Sequence, residues 1–276
     1  MAGSVYGMYL PTDETIAVAP NIKRKIAILK CLKENRFEKD FPFLSRTIEN
    51  LESVMKKRGL KQVPLVYSSW VFEKWRKERV YPPKIDVYGL PGGEIDEYEI
   101  QNYPTDYFDY ALPREFAEET GLSPIIKDGK DEKGRTIYKN LFRRSSLLWA
   151  KDNREENGKT YENYFFHVFG IDPTSKLNTE GVEEETEAPE IVQISKLGTE
   201  EFPFYPKHAI GLKILLRQLL EAGQAEYEPA LKHIEEKYPW TPEQRGLSFE
   251  KLDPEPTIVL TDDEAWIKAV NGVKKI

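Results

Sequence analysis

Between Leu112 and Leu122 the chain reads LPREFAEETGL, with three carboxylates, Glu115, Glu118 and Glu119, spaced three and four residues apart. On a helix that spacing places them on one face, because residues three and four apart are surface neighbours. Like charges so placed repel, at a cost of roughly 0.2–0.5 kcal/mol per pair in an isolated helix. A divalent cation removes the cost. Mg²⁺ is a hard ion that takes carboxylate oxygens, keeps several waters and commonly shares its shell with substrate phosphates. The same cluster would also suit an ordinary solvated helix face, so its neighbours carry the argument. Upstream lies GLPGGEID, a Gly-Gly turn leaving a strand; Arg114 precedes the first glutamate, and Gly121-Leu122 follow the helix.

With these neighbours the segment resembles the Nudix box, G-x5-E-x7-R-E-U-x-E-E-x-G-U, where U is bulky and apolar. Its second half is matched in full by Arg114, Glu115, Phe116, Ala117, Glu118, Glu119, Thr120, Gly121 and Leu122, and Leu90-Pro91-Gly92-Gly93 looks like its usual beginning. The first half departs from the pattern. Gly93 lies 21 positions before Arg114 where the family has 14, so the loop is about seven residues longer, with the insertion assigned to EYEIQNYP. Counting eight back from Arg114 reaches Asp106, standing where the family has Glu. Pro113 falls inside the usual helix; it lacks a donor and crowds the carbonyl of Asp109. The expected resolution is a helix that starts late, near Asp109, with Pro113 close to its first turn.

The resemblance implies an α/β fold, a Nudix-type α/β/α sandwich with a mixed sheet. It implies hydrolysis of the pyrophosphate linkage of a nucleoside diphosphate joined to another moiety, with Mg²⁺ or Mn²⁺ as cofactor. Such a reaction needs neutralised phosphate charge and a positioned water, and little else from the protein. Metal on Glu115, Glu118 and Glu119 would lower the pKa of a bound water. Arg114 is expected to orient a carboxylate, Glu115, through a charge-assisted pair. The general base is either a glutamate of the box or one in EGVEEETEAPEIVQI, where Glu187 and Glu190 are candidates; that stretch reads equally as a solvated acidic loop.

Gly93 and Arg143 are the expected substrate contacts. Arg143 and Arg144 are adjacent on a strand and point to opposite faces, so at most one serves. Trp70, Trp75 and Trp149 are base-stacking candidates or plain core residues. His167, in YFFHVFG, reads as a strand residue facing either core or cleft. A rival from another class is a nucleotide-binding sensor that no longer cleaves its ligand; the long loop, Asp106 and Pro113 favour it, and the intact glutamates oppose it.

The 276 residues carry 47 acidic and 40 basic side chains, a net charge of −7, which disfavours nucleic acid or an anionic membrane as partner. The partner expected is a small nucleotide-derived substrate. A single cysteine, Cys31, excludes an intramolecular disulfide and any zinc cage needing two thiolates. No apolar run approaches the roughly 20 residues that span a bilayer. The first residues, MAGSVYGMYLPTDET, lack a secretory pattern, so a cytoplasmic location is expected.

Around the acidic helix, periodicity predicts helices over Ile22–Leu29 and Leu44–Met55, the second stopped by Gly59. Strands are expected in VPLVYSSWVFEKW, IDVYGL, TIYKNLFRRSSLLWA, TYENYFFHVFGI and EIVQI, with KDNREENGK as a hairpin turn. PKHAIGLKILLRQLLEAG reads as a closing helix stopped by Gly223, and TIVLTDDEAWIKAV as a strand then a helix capped by Thr261 or Asp262. The expected division is an N-terminal helical extension over 1–62, a Nudix-type domain over 63–223 and a C-terminal tail over 224–276. Homodimers are frequent in the family that the box resembles, and the helices before Leu60 are a candidate interface.

Overall fold

The computed structural model describes residues 2–20, 88–156, 159–178, 188–199, 202, 204–240 and 258–271. The helices expected at Ile22–Leu29 and Leu44–Met55, Cys31, the strand of Trp70 and Trp75, and Glu187 lie outside the described residues. Ten strands are described: β1 (Ala2–Tyr9), β2 (Thr15–Pro20), β3 (Tyr88–Gly89), β4 (Gly92–Glu94), β5 (Ile125–Lys130), β6 (Thr136–Asn140), β7 (Phe142–Glu156), β8 (Lys159–Val168), β9 (Glu190–Gln193) and β10 (Ile258–Thr261). The α-helices are α1 (Glu97–Asn102), α2 (Tyr107–Thr120), α3 (Pro206–Glu221), α4 (Glu228–Lys237) and α5 (Glu264–Val270).

The fold is mixed α/β. The central sheet runs β4-β1-β8-β7; β1 is parallel to β8, and the other pairs are antiparallel. Two smaller antiparallel sheets, β10-β6-β5 and β3-β2-β9, complete it. Strand alternation sends neighbouring side chains of β8 into different cores. Tyr164, Phe166 and Val168 join Tyr110, Leu112 and Phe116 of α2, whereas Phe165 joins Leu212, Leu215 and Leu219 of α3. β1 divides in the same way, Val5 to the first core and Met8 to the second.

Several expectations change here. The chain start is not a helical extension: β1 forms eight consecutive pairs with β8, because its glycines and small or apolar residues (AGSVYGMY) fit between two strands. Nor do the described residues after 224 stand apart from the domain, and TIVLTDDEAWIKAV forms the expected strand and helix. β10 extends the β6 edge, α5 lies along α2, and α4 contributes Leu231 and Ile234 to the α3 core. α5 is capped by Asp263, whose carboxylate accepts from Ala265 N and Trp266 N, while the Thr261 hydroxyl accepts the Asp263 amide. TIYKNLFRRSSLLWA is two strands broken at Leu141, whose amide turns to Pro124 O. The β7–β8 hairpin forms as expected, but its strands continue through the polar stretch until Glu156 pairs with Lys159. The closing helix α3 has Pro in its first turn and Gly223 beyond its end at φ +88°, the asymmetry that helix ends favour. Among the described residues no helix is long and apolar enough to cross a membrane.

Candidate active site

The acidic helix is α2, and its burial pattern explains its orientation. Tyr110, Ala111, Leu112, Phe116 and Ala117 are buried, whereas Arg114, Glu115 and Glu118 lie on the partly open side. It begins at Tyr107, two residues before the expected start, so Pro113 sits in its interior rather than its first turn. The helix ends at Gly121, whose φ of +76° and close approach to the Lys176 carbonyl leave no room for a Cβ. Its last carbonyls are met by Gly121 N on Ala117 O and Asn178 N on Thr120 O.

Arg114 is the hub. Its side chain is 14% exposed, and it donates from Nε to Glu99 Oε1 (2.7 Å) and from Nη2 to Glu99 Oε2 (3.0 Å). Nη1 reaches Glu115 Oε1 at 2.7 Å and Glu118 Oε2 at 3.4 Å. Nη2 also meets Glu94 O at 3.3 Å and lies 3.4 Å from Asp96. Burial alone would lower the Arg114 pKa, but the bonds and charges of Glu99 and Glu115 outweigh it and hold the guanidinium firmly protonated. One cation thus faces four carboxylates. Burial pushes the Glu115 carboxyl up to about 7, against the pull of Arg114 and with smaller help from the Glu118 and Glu99 charges.

The Gly-Gly turn closes the other side. Gly92 N donates to Glu119 Oε2 at 2.8 Å, and Gly92 has φ +146°. A Cβ on Gly93 would fall inside the Glu115 carboxylate, so with glycine there the strand approaches without displacing that carboxylate from Arg114. Glu115 therefore has one oxygen on Arg114 and the other against Gly93, Glu118 reaches Arg114, and Glu119 holds the turn. Among the described residues, no group of three or more His, Cys, Asp or Glu side chains converges as a metal site. The donor chemistry nevertheless suits a hard cation: carboxylate oxygens in negative excess, beside a glycine with no side chain.

Two expectations about this site need correction. Arg114 does pair with Glu115, but its two-pronged partner is Glu99, which the sequence reading passed over. Asp106 is the residue before α2, exposed and bonded by Thr105 Oγ1 at 2.9 Å, and it is not among the carboxylates on Arg114. The signal for Glu99 was present, since counting forward from Gly93 through five residues reaches it. The stretch assigned to the insertion is α1, which carries Glu99; the extra residues fall between Glu99 and Arg114.

Other candidates lie elsewhere. Arg143, on β7, is separated from Gly93 on β4 by β1 and β8, three strand spacings or roughly 14 Å. Its guanidinium lies 5.1 Å from the centre of the Phe169 ring. Glu190 is exposed on β9 and accepts from Tyr88 OH at 3.3 Å. His167 is buried, and burial, with the Arg143 charge, pushes its pKa down to about 3, which keeps it neutral.

No protein-family model and no curated protein matches the chain. Among solved structures, a MutT Nudix hydrolase from Burkholderia pseudomallei aligns with a TM-score of 0.36 and 13% identity, covering 76% of this chain and 95% of that one. The E. coli ORF135 protein aligns with a TM-score of 0.34 and 14% identity, covering 80% and 92%. Likeness at this level does not assign the chain to a family.

Proposed function

We propose that the chain is a divalent-metal-dependent hydrolase that cleaves the pyrophosphate linkage of a nucleoside diphosphate joined to another moiety, on a Nudix-type α/β/α fold. The observation that carries this reading is the packing of Gly93 against Glu115 while Arg114 gathers Glu99, Glu115 and Glu118. That arrangement joins the nine residues resembling the Nudix box to the Gly-Gly turn upstream of them. Glu115, Glu118 and Glu119 would hold Mg²⁺ or Mn²⁺, which when bound neutralises phosphate charge and acidifies a bound water. Arg114 and Glu99 keep the Glu115 carboxylate oriented. Gly93 leaves the space beside it open.

The test is incubation of the purified chain with Mg²⁺ and a panel of nucleoside diphosphate derivatives, with Glu118→Gln as control and phosphate-containing products as readout. Cleavage lost in the variant supports the hydrolase. A second reading, a nucleotide-binding module without cleavage, is favoured by one observation: Glu119 is engaged by the Gly92 amide. Micromolar binding of one compound with no turnover across the panel would replace the first reading with the second.

A further inference from the structure

Three consecutive residues of the Gly-Gly turn are each held by a different element. Gly92 N donates to Glu119 on α2 at 2.8 Å, and Pro91 O accepts from Gly7 N on β1 at 2.8 Å. Leu90 N donates to Nδ1 of His208, on α3, also at 2.8 Å. This third tie is the unusual one. His208 is 2% exposed, and its ring stands among Tyr6 (4.3 Å between ring centres), Tyr205 (5.0 Å), Phe165 (5.8 Å) and Phe204 (6.3 Å). An amide N–H can only donate, so Nδ1 here is a lone-pair acceptor and the ring proton sits on Nε2. Leu90 is itself 3% exposed, and a buried amide that loses its acceptor is costly.

We propose that His208 is a positioning residue for the Gly92–Gly93 turn: by accepting the Leu90 amide it fixes, from the opposite core, the backbone that packs against Glu115 and Glu119. The inference rests on the hydrolase reading only for what the turn then does. The geometric relay, from α3 through Leu90 and Gly92 to α2, stands without it. Neither periodicity nor motif matching finds such a residue, since His208 lies 118 positions from Leu90 in a helix that reads as plain core.

The experiment is residue-resolved amide hydrogen exchange on the full chain, comparing wild type with His208→Asn, His208→Gln and His208→Phe. An asparagine places its amide oxygen where Nδ1 stands, whereas a glutamine carries its polar end toward the Nε2 position. Slow exchange at Leu90 and Gly92 is expected in wild type and His208→Asn. Exchange about tenfold or more faster at both is expected in His208→Gln and His208→Phe, through local opening of the turn. With a cleaved substrate in hand, kcat should fall in the same two variants and recover in His208→Asn, a pattern that loss of folded protein alone would not produce. Equal Gly92 exchange in all four proteins would overturn the relay. Faster exchange with unchanged kcat and KM would uphold the relay and overturn its link to cleavage. Should His208→Phe fail to fold, the Asn–Gln comparison carries the test. The exchange result is decisive even if the chain cleaves nothing, so the two readings fail separately.

Discussion

Glu99 and Arg114 meet two-pronged, Nε to Oε1 at 2.7 Å and Nη2 to Oε2 at 3.0 Å, across fifteen residues of chain and from two different helices. The pair leaves Nη1 free to reach Glu115 and Glu118. It also anchors α1, because Glu99 Oε2 accepts the Asp96 amide at the start of that helix.

A lysine cannot reproduce this fork. Its ammonium is a point charge, so Arg114→Lys keeps the sign and loses the geometry. We expect cleavage to fall about 10–100-fold, the usual effect of removing a residue that orients a metal-site ligand. Glu99→Gln should fall into the same range. The two changes together should cost less than the product of their separate effects, since they break one interaction. Steady-state kinetics on the four proteins measures this.

At Gly93 the prediction is steric. Gly93→Ala places a methyl group inside the Glu115 carboxylate, which must move or push the strand away. Mg²⁺ binding by calorimetry and turnover should both be lost. Gly170→Ala is the control: its nearest neighbour, Leu141, is 3.5 Å from the new Cβ, and its stability should stay within about 0.5 kcal/mol of wild type.

His167 sets an acid limb to stability. Its folded pKa, about 3, lies below the ordinary imidazole value of 6.5 because burial, then Arg143, disfavours the charged ring. The unfolded state therefore binds the proton first. This contribution is complete above about pH 6.5 and is lost as pH falls toward 3, with a slope of up to about 1.4 kcal/mol per pH unit. Urea unfolding between pH 4 and 7, wild type against His167→Gln, should show a flatter limb in the variant.

The C-terminal unit is expected to belong to the cooperative fold. Trp266 Nε1 donates to Tyr110 O at 2.8 Å within α2, and Tyr110 OH returns a bond to Leu260 O at 3.0 Å. Removing the indole donor in Trp266→Phe should cost about 1–2 kcal/mol, and Trp266→Ala about 3–5 kcal/mol. Denaturant titration reads both. A single transition in each would confirm that residues 258–270 do not melt separately. Tyr98→Phe, which deletes an exposed hydroxyl that donates to Asp263, should cost less than about 1 kcal/mol.

Much of this was written locally. The spacing of Glu115, Glu118 and Glu119 and the glycine after them specify a helix face and its end, because helix period and left-handed glycine caps depend on neighbours alone. The closing helix, the β7–β8 hairpin and the short strand at Glu190 follow from the same local rules. Tertiary structure decided the rest. That Glu99 rather than Asp106 takes the fork of Arg114 depends on α1 folding back, which no count from Arg114 could reveal. The chain start, with two glycines and no strong apolar alternation, becomes a central strand because β4 and β8 flank it. Pro113 is carried inside α2, where burial of Tyr110, Leu112 and Phe116 around it holds the helix through a residue that breaks isolated ones. His208, silent in the sequence, gains its part only where α3 packs beneath the turn. Local chemistry specified which groups were available; long-range packing decided which of them meet, since burial and pairing energies are set by contacts between residues far apart in the chain.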